Sequence, residues 1–331
     1  MNSELSKALL AWNQVFDGRI DGDILSFNNE KGKGKVIAYD FDDNLQALQF
    51  KFKLNTPLTC SGKKMNEINE YVPIFFGEPV EQSLEIEQQL EKGEGFSKED
   101  FSINSQGAFA TNTKDTINWE FSDARELTFL SIRLKKEHFI KLIQRSERLI
   151  QLFDFDDSFY IFEEFDPIMF GMFNRSFALL EDETLIYKKE LVEACVRHLF
   201  ATFFTKVSER EELLASNKYP VNTKAVFIAR TILKNQLDKP IHIEDLSREC
   251  GLSGSRLRAL FKQVFGTTIH QYHQDVRLDK ARTYLTQGEK SMSMIAMDLG
   301  FSSASHFSAV FKKQYHMTPR EFKEDLKQRK F

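Results

Sequence analysis

Apolar and polar positions change their period twice along the chain. Up to about Leu134 the pattern is one of short runs rich in aromatic and β-branched residues. These are Asp23–Phe27, Lys35–Phe41, Leu45–Leu54, Ile74–Gly77, Phe109–Thr113, Ile117–Phe121 and Leu127–Leu134. The run Leu45–Leu54 ends in strict alternation, which marks a half-buried strand. Turn signals at Asp21-Gly22, Lys31-Gly32-Lys33-Gly34, Ser61-Gly62 and Gly93-Glu94-Gly95 separate the runs. Many short strands at this spacing predict a sandwich, jelly roll or small barrel over residues 1–134.

Over residues 135–217 the period becomes helical. Val192, Val196, Leu199, Phe203 and Val207 recur at spacings of three and four, the apolar stripe of a long helix. Such a stripe packs against its own chain or forms the seam of a homodimer. The segment therefore reads as a helical linker or dimerisation element. The acidic, aromatic run from Phe153 to Pro167 reads as a surface loop whose Phe side chains cover a core. Ser216-Asn217-Lys218-Tyr219-Pro220 reads as a linker, and residues 218–331 as a third segment.

That third segment contains an internal repeat. Ile243-Glu244-Asp245-Leu246-Ser247-Arg248-Glu249-Cys250-Gly251-Leu252-Ser253 leads into an apolar stripe of Leu257, Leu260, Phe261, Val264 and Phe265. Met292-Ser293-Met294-Ile295-Ala296-Met297-Asp298-Leu299-Gly300-Phe301-Ser302 leads into Phe307, Val310, Phe311 and Tyr315. A one-residue difference between the two turns brings the copies into register. Each copy is a short helix ended by a glycine, a turn, and a second helix starting among serines suited to capping it. The copies span about residues 243–265 and 292–315.

The second helix of each copy has one apolar face and one small, polar and basic face. A major-groove helix needs the latter, because bulky apolar groups would block approach to base edges. Candidate base contacts on these faces are Ser255, Arg256 and Arg258 in the first copy, and Ser305, His306 and Ser308 in the second. Lys262, Gln263, Lys312 and Lys313 are candidate phosphate contacts. Thr268-Ile269-His270-Gln271 has the form of a capping box and predicts a connecting helix over 268–286. At about 1.5 Å per residue it spans about 28 Å, near the ~34 Å repeat of B-DNA. Thr318-Pro319-Arg320-Glu321 caps a final helix in the same way.

Charge sharpens this picture. The chain has 331 residues and a net charge of -4, but residues 218–331 hold 20 Lys+Arg against 11 Asp+Glu. Residues 1–217 hold 25 against 38. A basic rear segment suits a polyanion partner. With 41% hydrophobic residues and a length of roughly two domains, the chain has ample material for folded cores. No run approaches the ~18 apolar residues of a membrane span, and the first twenty residues lack a signal-peptide pattern. The expectation is a cytoplasmic protein that does not engage a membrane. Cys60, Cys195 and Cys250 form no disulfide framework and no metal or redox motif.

The rear segment resembles the paired helix-turn-helix domain of the AraC/XylS family of bacterial transcription regulators. The resemblance rests on Gly300-Phe301-Ser302-Ser303-Ala304-Ser305-His306-Phe307-Ser308, Phe311-Lys312-Lys313-Gln314-Tyr315 and Met317-Thr318-Pro319. Phe265-Gly266-Thr267-Thr268 and Arg277-Leu278-Asp279-Lys280-Ala281 carry it in the earlier half. It implies a multidomain α+β protein that binds double-stranded promoter DNA and acts on RNA polymerase, more often as an activator. It also implies a cupin-like front domain that senses a small-molecule effector or serves only for dimerisation and protein contacts. Three positions depart from the family. Ala259 and Ala309 stand where DNA-facing Arg is frequent, and His316 stands where Gly is usual. The latter predicts a small stability cost at a left-handed position.

A cupin-type enzyme with a regulator-like tail is the remote alternative. Its metal site would need histidines on the strands, and the first histidine in the chain is His138. Glu81, Glu85 and Glu87 read as a solvated edge, and His270 with His273 lacks a third ligand nearby in sequence. No phosphate loop, nucleophile elbow or HExxH helix is present. The expectation is a non-enzyme without cofactor or metal.

Overall fold

The computed structural model describes residues 3–61, 70–77, 100–102, 107–111, 118–121, 126–153, 155, 159–182, 184–210 and 223–328. The Gly93-Glu94-Gly95 turn, Gly62, Glu81, Glu85, Glu87 and the Ser216–Pro220 linker lie outside these residues. The chain divides into two compact units, Met1–Lys224 with Gln263–Gly266, and Ala225–Lys262 with Thr267–Phe331.

The front unit is built on antiparallel strands apart from one parallel pair in its smaller sheet. Its larger sheet runs in the order β1 (Arg19–Asp21), β2 (Ile24–Asn29), β3 (Gly32–Asp42), β4 (Leu45–Leu54), β10 (Glu126–Lys135), β6 (Tyr71–Gly77), β8 (Gly107–Thr111) and β11 (Tyr160–Glu164). A smaller sheet joins β5 (Leu58–Ser61), β9 (Asn118–Phe121) and β7 (Asp100–Ser102). The α+β class read from the sequence is therefore what the structure has. Lys31-Gly32-Lys33-Gly34 is mostly strand rather than turn. A Cβ on Gly32 would meet the Lys53 carbonyl oxygen at 2.3 Å, and one on Gly34 the Phe52 Cβ at 2.2 Å. Gly32 closes the two-residue reversal at Glu30-Lys31 between β2 and β3, and both glycines allow a close approach of β3 to β4.

Both faces of the large sheet are covered over much of their area. On one side α1 (Ser3–Phe16) buries Leu5, Leu9 and Phe16. Its Trp12 and Phe16 join Phe27, Phe50, Phe52, Phe121 and Phe129 in one ring cluster. On the other side lie α2 (Lys136–Ile143), α3 (Glu147–Leu152), α4 (Pro167–Glu181) and α5 (Lys188–Ser208). Asp166 caps α4 by accepting from the Ile168 and Met169 amides, and Pro167 at the first helical position needs no donor. Leu45, Ala47, Ile74, Phe76 and Ile132 from the sheet share a core with Phe173, Val196 and Phe203 from these helices.

Two expectations change here. Val192, Val196, Leu199, Phe203 and Val207 lie on α5 with no exposed surface, inside the core of their own unit. Side chains already covered in a single chain cannot form a dimer seam, so the stripe is packing. The run from Phe153 to Pro167 contains a strand, because β11 pairs with β8 from Tyr160↔Thr111 to Glu164↔Gly107. Phe153, Phe159 and Phe162 are buried as expected, but Phe162 is buried from within a sheet.

The tail unit is helical: α6 (Thr223–Asn235), α7 (Ile243–Glu249), α8 (Gly254–Phe265), α9 (Ile269–Gln287), α10 (Met292–Asp298), α11 (Ala304–Tyr315) and α12 (Pro319–Gln328). Among the described residues no helix is long and apolar enough to cross a membrane.

Candidate nucleic-acid interface

The two copies of the repeat fold by the same local chemistry. In the first, α7 ends at Gly251 with φ 63°, and in the second α10 ends before Gly300 with φ 64°. The Gly251 amide donates to Arg248 O (3.1 Å) and Leu252 to Ser247 O (3.0 Å). Gly300 donates to Met297 O (3.1 Å) and Phe301 to Ala296 O (2.8 Å). Both are the paired bonds of a Schellman ending, which requires a left-handed residue at the glycine. The next helix is then capped by serine. Ser253 Oγ accepts from the Arg256 amide at 3.4 Å, and Ser303 Oγ from the His306 amide at 3.0 Å.

The apolar faces of these second helices bury Leu257, Leu260 and Phe261 in α8, and Phe307 and Phe311 in α11. Phe261 meets Tyr272 of α9 edge-on at 5.3 Å, and Phe311 packs on Phe307, Tyr315 and Phe322. The opposite faces hold the candidate contact residues. Ser305, His306, Lys312 and Lys313 are exposed on α11, with Ser308 half-buried. On α8, Ser255 and Arg258 are exposed, whereas Arg256, Lys262 and Gln263 are half-buried. The second copy thus presents more of its polar face to solvent than the first.

His306 is held from two sides. Its ring meets Phe301 edge-on at 5.7 Å, and Nδ1 lies 3.0 Å from Ser302 Oγ. With the Ser302 hydroxyl donating, Nε2 carries the ring proton and is a donor that suits a guanine edge or a phosphate.

The connecting helix α9 runs for 19 residues between the copies, capped by Thr268 Oγ1 accepting from the Gln271 amide (3.2 Å). Its capping box is half closed, because Gln271 Nε2 donates to Asp275 at 2.9 Å instead of returning to Thr268. The box on α12 is complete: Glu321 N donates to Thr318 Oγ1 (3.2 Å), and Thr318 N donates to Glu321 Oε2 (2.6 Å).

The sequence did not reveal that α9 also fastens the loop between α6 and α7. His273 Nε2 lies 2.9 Å from Gln236 O, and Arg277 donates to Leu237 O (2.9 Å) and Lys239 O (2.6 Å). These carbonyls follow the end of α6, where a cation is favoured. The partners are 37 to 40 residues apart in sequence, and only Arg and His at i and i+4 hint at the pairing. His270, by contrast, is exposed.

Burial lowers the pKa of His273 from its ordinary 6.5, and Arg277 and His270 push the same way, against the Gln236 carbonyl. A depressed folded pKa means the unfolded chain binds the proton first. The neutral ring's contribution is therefore complete above about pH 6.5 and lost as pH falls toward the folded value. Thermal melts of wild type and His273→Gln from pH 7.5 to 5.5 (roughly one unit either side of the ordinary value) test this. The wild-type tail should lose more stability over that range, and parallel curves would refute the assignment.

The comparisons with known proteins converge on this segment. The profile of a family described as a helix-turn-helix domain matches residues 246–325. The transcriptional regulator ArgR of Pseudomonas aeruginosa is 29% identical over 136 residues, 40% of each chain. The transcriptional activator RhaR of Mannheimia succiniciproducens is 35% identical over 91 residues, 28% of this chain and 33% of its own. A solved transcriptional regulator from Chromobacterium violaceum, of the proteins containing an AraC-type DNA-binding domain, is 32% identical. It covers 31% of this chain and 92% of its own, with a TM-score of 0.30. The match spans less than half the length of these two curated relatives. Residues 246–325, with their two matching turns and serine-capped second helices, are a helix-turn-helix domain of the AraC type.

Proposed function

We propose that this protein is a sequence-specific DNA-binding transcription regulator whose α8 and α11 enter successive major-groove segments of a promoter duplex. The observation that carries the reading is the construction of two equivalent capped helices joined by the 19 residues of α9. That helix is about 28 Å long, close to the ~34 Å separating like groove faces on one side of B-DNA. Ser255, Arg256, Arg258, Ser305, His306 and Ser308 read base edges, and Lys262, Gln263, Lys312 and Lys313 hold phosphates. The greater exposure of the α11 set supports a larger share of contacts for the second copy.

The protein works in the cytoplasm, and its front unit supplies control. A small-molecule effector binding there shifts the population of DNA-competent states, and the regulator acts on RNA polymerase as an activator; the similar RhaR is a transcriptional activator. Any homodimer uses a surface other than the buried α5 stripe.

Selection of genomic fragments by the purified full-length chain, at near-physiological salt with excess competitor, tests the reading. A defined motif with contacts about one helical turn apart supports it. Absence of enrichment across candidate effectors overturns it.

A further inference from the structure

The front unit carries an excess of acid, with 25 Lys+Arg against 38 Asp+Glu over residues 1–217. It nevertheless gathers five cations on one part of one sheet face. In register, Arg19 of β1 faces Ser26 of β2, Ser26 faces Lys35 of β3, and Lys35 faces Lys51 of β4. The adjacent row is Asn28, Lys33 and Lys53. Directly opposed residues share a face at about 4.5–5.5 Å between Cα atoms, and alternate residues along a strand are about 7 Å apart. Two pairs of lysines thus stand opposite each other, an arrangement that costs stability.

Acidic neighbours offset only part of this charge. Lys51 pairs with Glu181 at 2.6 Å and Glu126 at 3.7 Å. The Glu181 carboxyl is held below its usual range by Lys51 first, and also by Lys35 and Lys188. Among the described residues Arg19, Lys33, Lys35 and Lys53 have no ion pair, and Arg19, Lys33 and Lys53 are exposed. The covering layer also stops here. Helix α4 reaches the sheet at Gln49, whose Nε2 donates to Ser176 O (3.0 Å), and ends at Glu181 over Lys51. Beyond that point the face is polar and open.

We propose that this strip, Arg19, Ser26, Asn28, Lys33, Lys35 and Lys53, is a second nucleic-acid surface that binds the phosphate backbone of duplex DNA without reading sequence. The proposal rests on the DNA-binding reading above and adds a contact outside the tail. Phosphate and sugar contacts need only cations and small hydrogen-bonding side chains, which is what the strip contains. A protein partner would be expected to meet an aromatic or aliphatic anchor within the patch. The strip itself has none, and Ile24 at its margin is 40% exposed.

The test compares full-length wild type with Lys33→Gln/Lys35→Gln/Lys53→Gln on long random-sequence duplex DNA across a salt series. Each phosphate contact contributes about 0.9 to the slope of log affinity against log salt, so the slope should shrink by up to about 2.7. The motif selected from genomic fragments should stay the same, and thermal melting should hold or rise as the opposed charges are removed. An unchanged slope in a variant that melts normally overturns the proposal while leaving the tail's role intact. Loss of wild-type binding to anionic phosphatidylserine vesicles in the variant, with DNA slopes equal, overturns it in favour of a membrane surface. Wild type that binds no DNA at all overturns the DNA-binding reading, and this proposal with it.

Discussion

Gly300→Ala is expected to destabilise the tail unit by roughly 3–4 kcal/mol, whereas Gly251→Ala at the matching position costs only about 1 kcal/mol. Both glycines have the same left-handed backbone, so both variants pay the conformational penalty of an L side chain there. Their surroundings differ. A Cβ on Gly251 meets nothing within 4 Å, while one on Gly300 meets the Asp238 carbonyl oxygen at 2.6 Å and its carbon at 2.7 Å. That carbonyl cannot easily retreat, because His273 and Arg277 hold residues 236, 237 and 239 on either side of it. A left-handed position without glycine runs the other way. His316, with φ 59°, ends α11 by donating its amide to Lys312 O at 2.9 Å. His316→Gly keeps that bond and relieves the strain, so a gain of about 0.5–1 kcal/mol is expected. Denaturant melts of the three variants check the series. Equal losses at Gly251 and Gly300 would show that backbone strain alone sets the cost.

What the sequence made legible follows from where the information was local. All seven predicted β runs overlap strands over their described residues, and β4 matches to the residue, although its first six positions are all buried and only its end, from Lys51, alternates in exposure. β1, β5 and β7 are three or four residues long, too short for a period to show. β11 escaped because Tyr160, Ile161 and Phe162 are all buried, which erases alternation, and acidic residues flank them. The helix α1, with a stripe at Leu5, Leu9, Trp12 and Phe16, lies in the segment read only as strands. In the tail, glycine endings and serine caps are local events, so both helix-turn-helix copies and the Thr318–Glu321 box were readable. The half-burial of Arg256, Lys262 and Gln263 was not, since no local pattern separates them from the exposed Ser255 and Arg258. The lysine strip was hidden for the same reason. Lys33 and Lys53 are twenty positions apart, and only strand register makes them neighbours.

Phe129→Ala in the front unit is expected to show the largest single loss of all, about 3–5 kcal/mol. Phe129 is 2% exposed and stacks on Phe50 across the β4–β10 pair, with ring centroids 3.9 Å apart. Phe121 of the smaller sheet also stacks on Phe129, at 5.7 Å, and Phe52 meets Phe129 edge-on at 6.0 Å. Trp12 from α1 approaches at 6.4 Å. One ring therefore joins two sheets and the first helix, and truncating it removes contacts on every side at once. Relaxation is limited because the partners sit on separate backbones held by their own hydrogen bonds, so much of the cavity persists. Phe170→Ala provides the contrast. That ring is 38% exposed on α4, and its loss should stay within about 0.5 kcal/mol. Fluorescence-detected denaturant melts suit the comparison, since Trp12 lies 4.9 Å from Phe50 within the affected cluster. A loss under about 1.5 kcal/mol at Phe129 would mean the cluster repacks around the gap, as a volume-tolerant core does. The strands would then be held chiefly by the core on their other face, where Phe76, Ile132, Val196 and Phe203 meet.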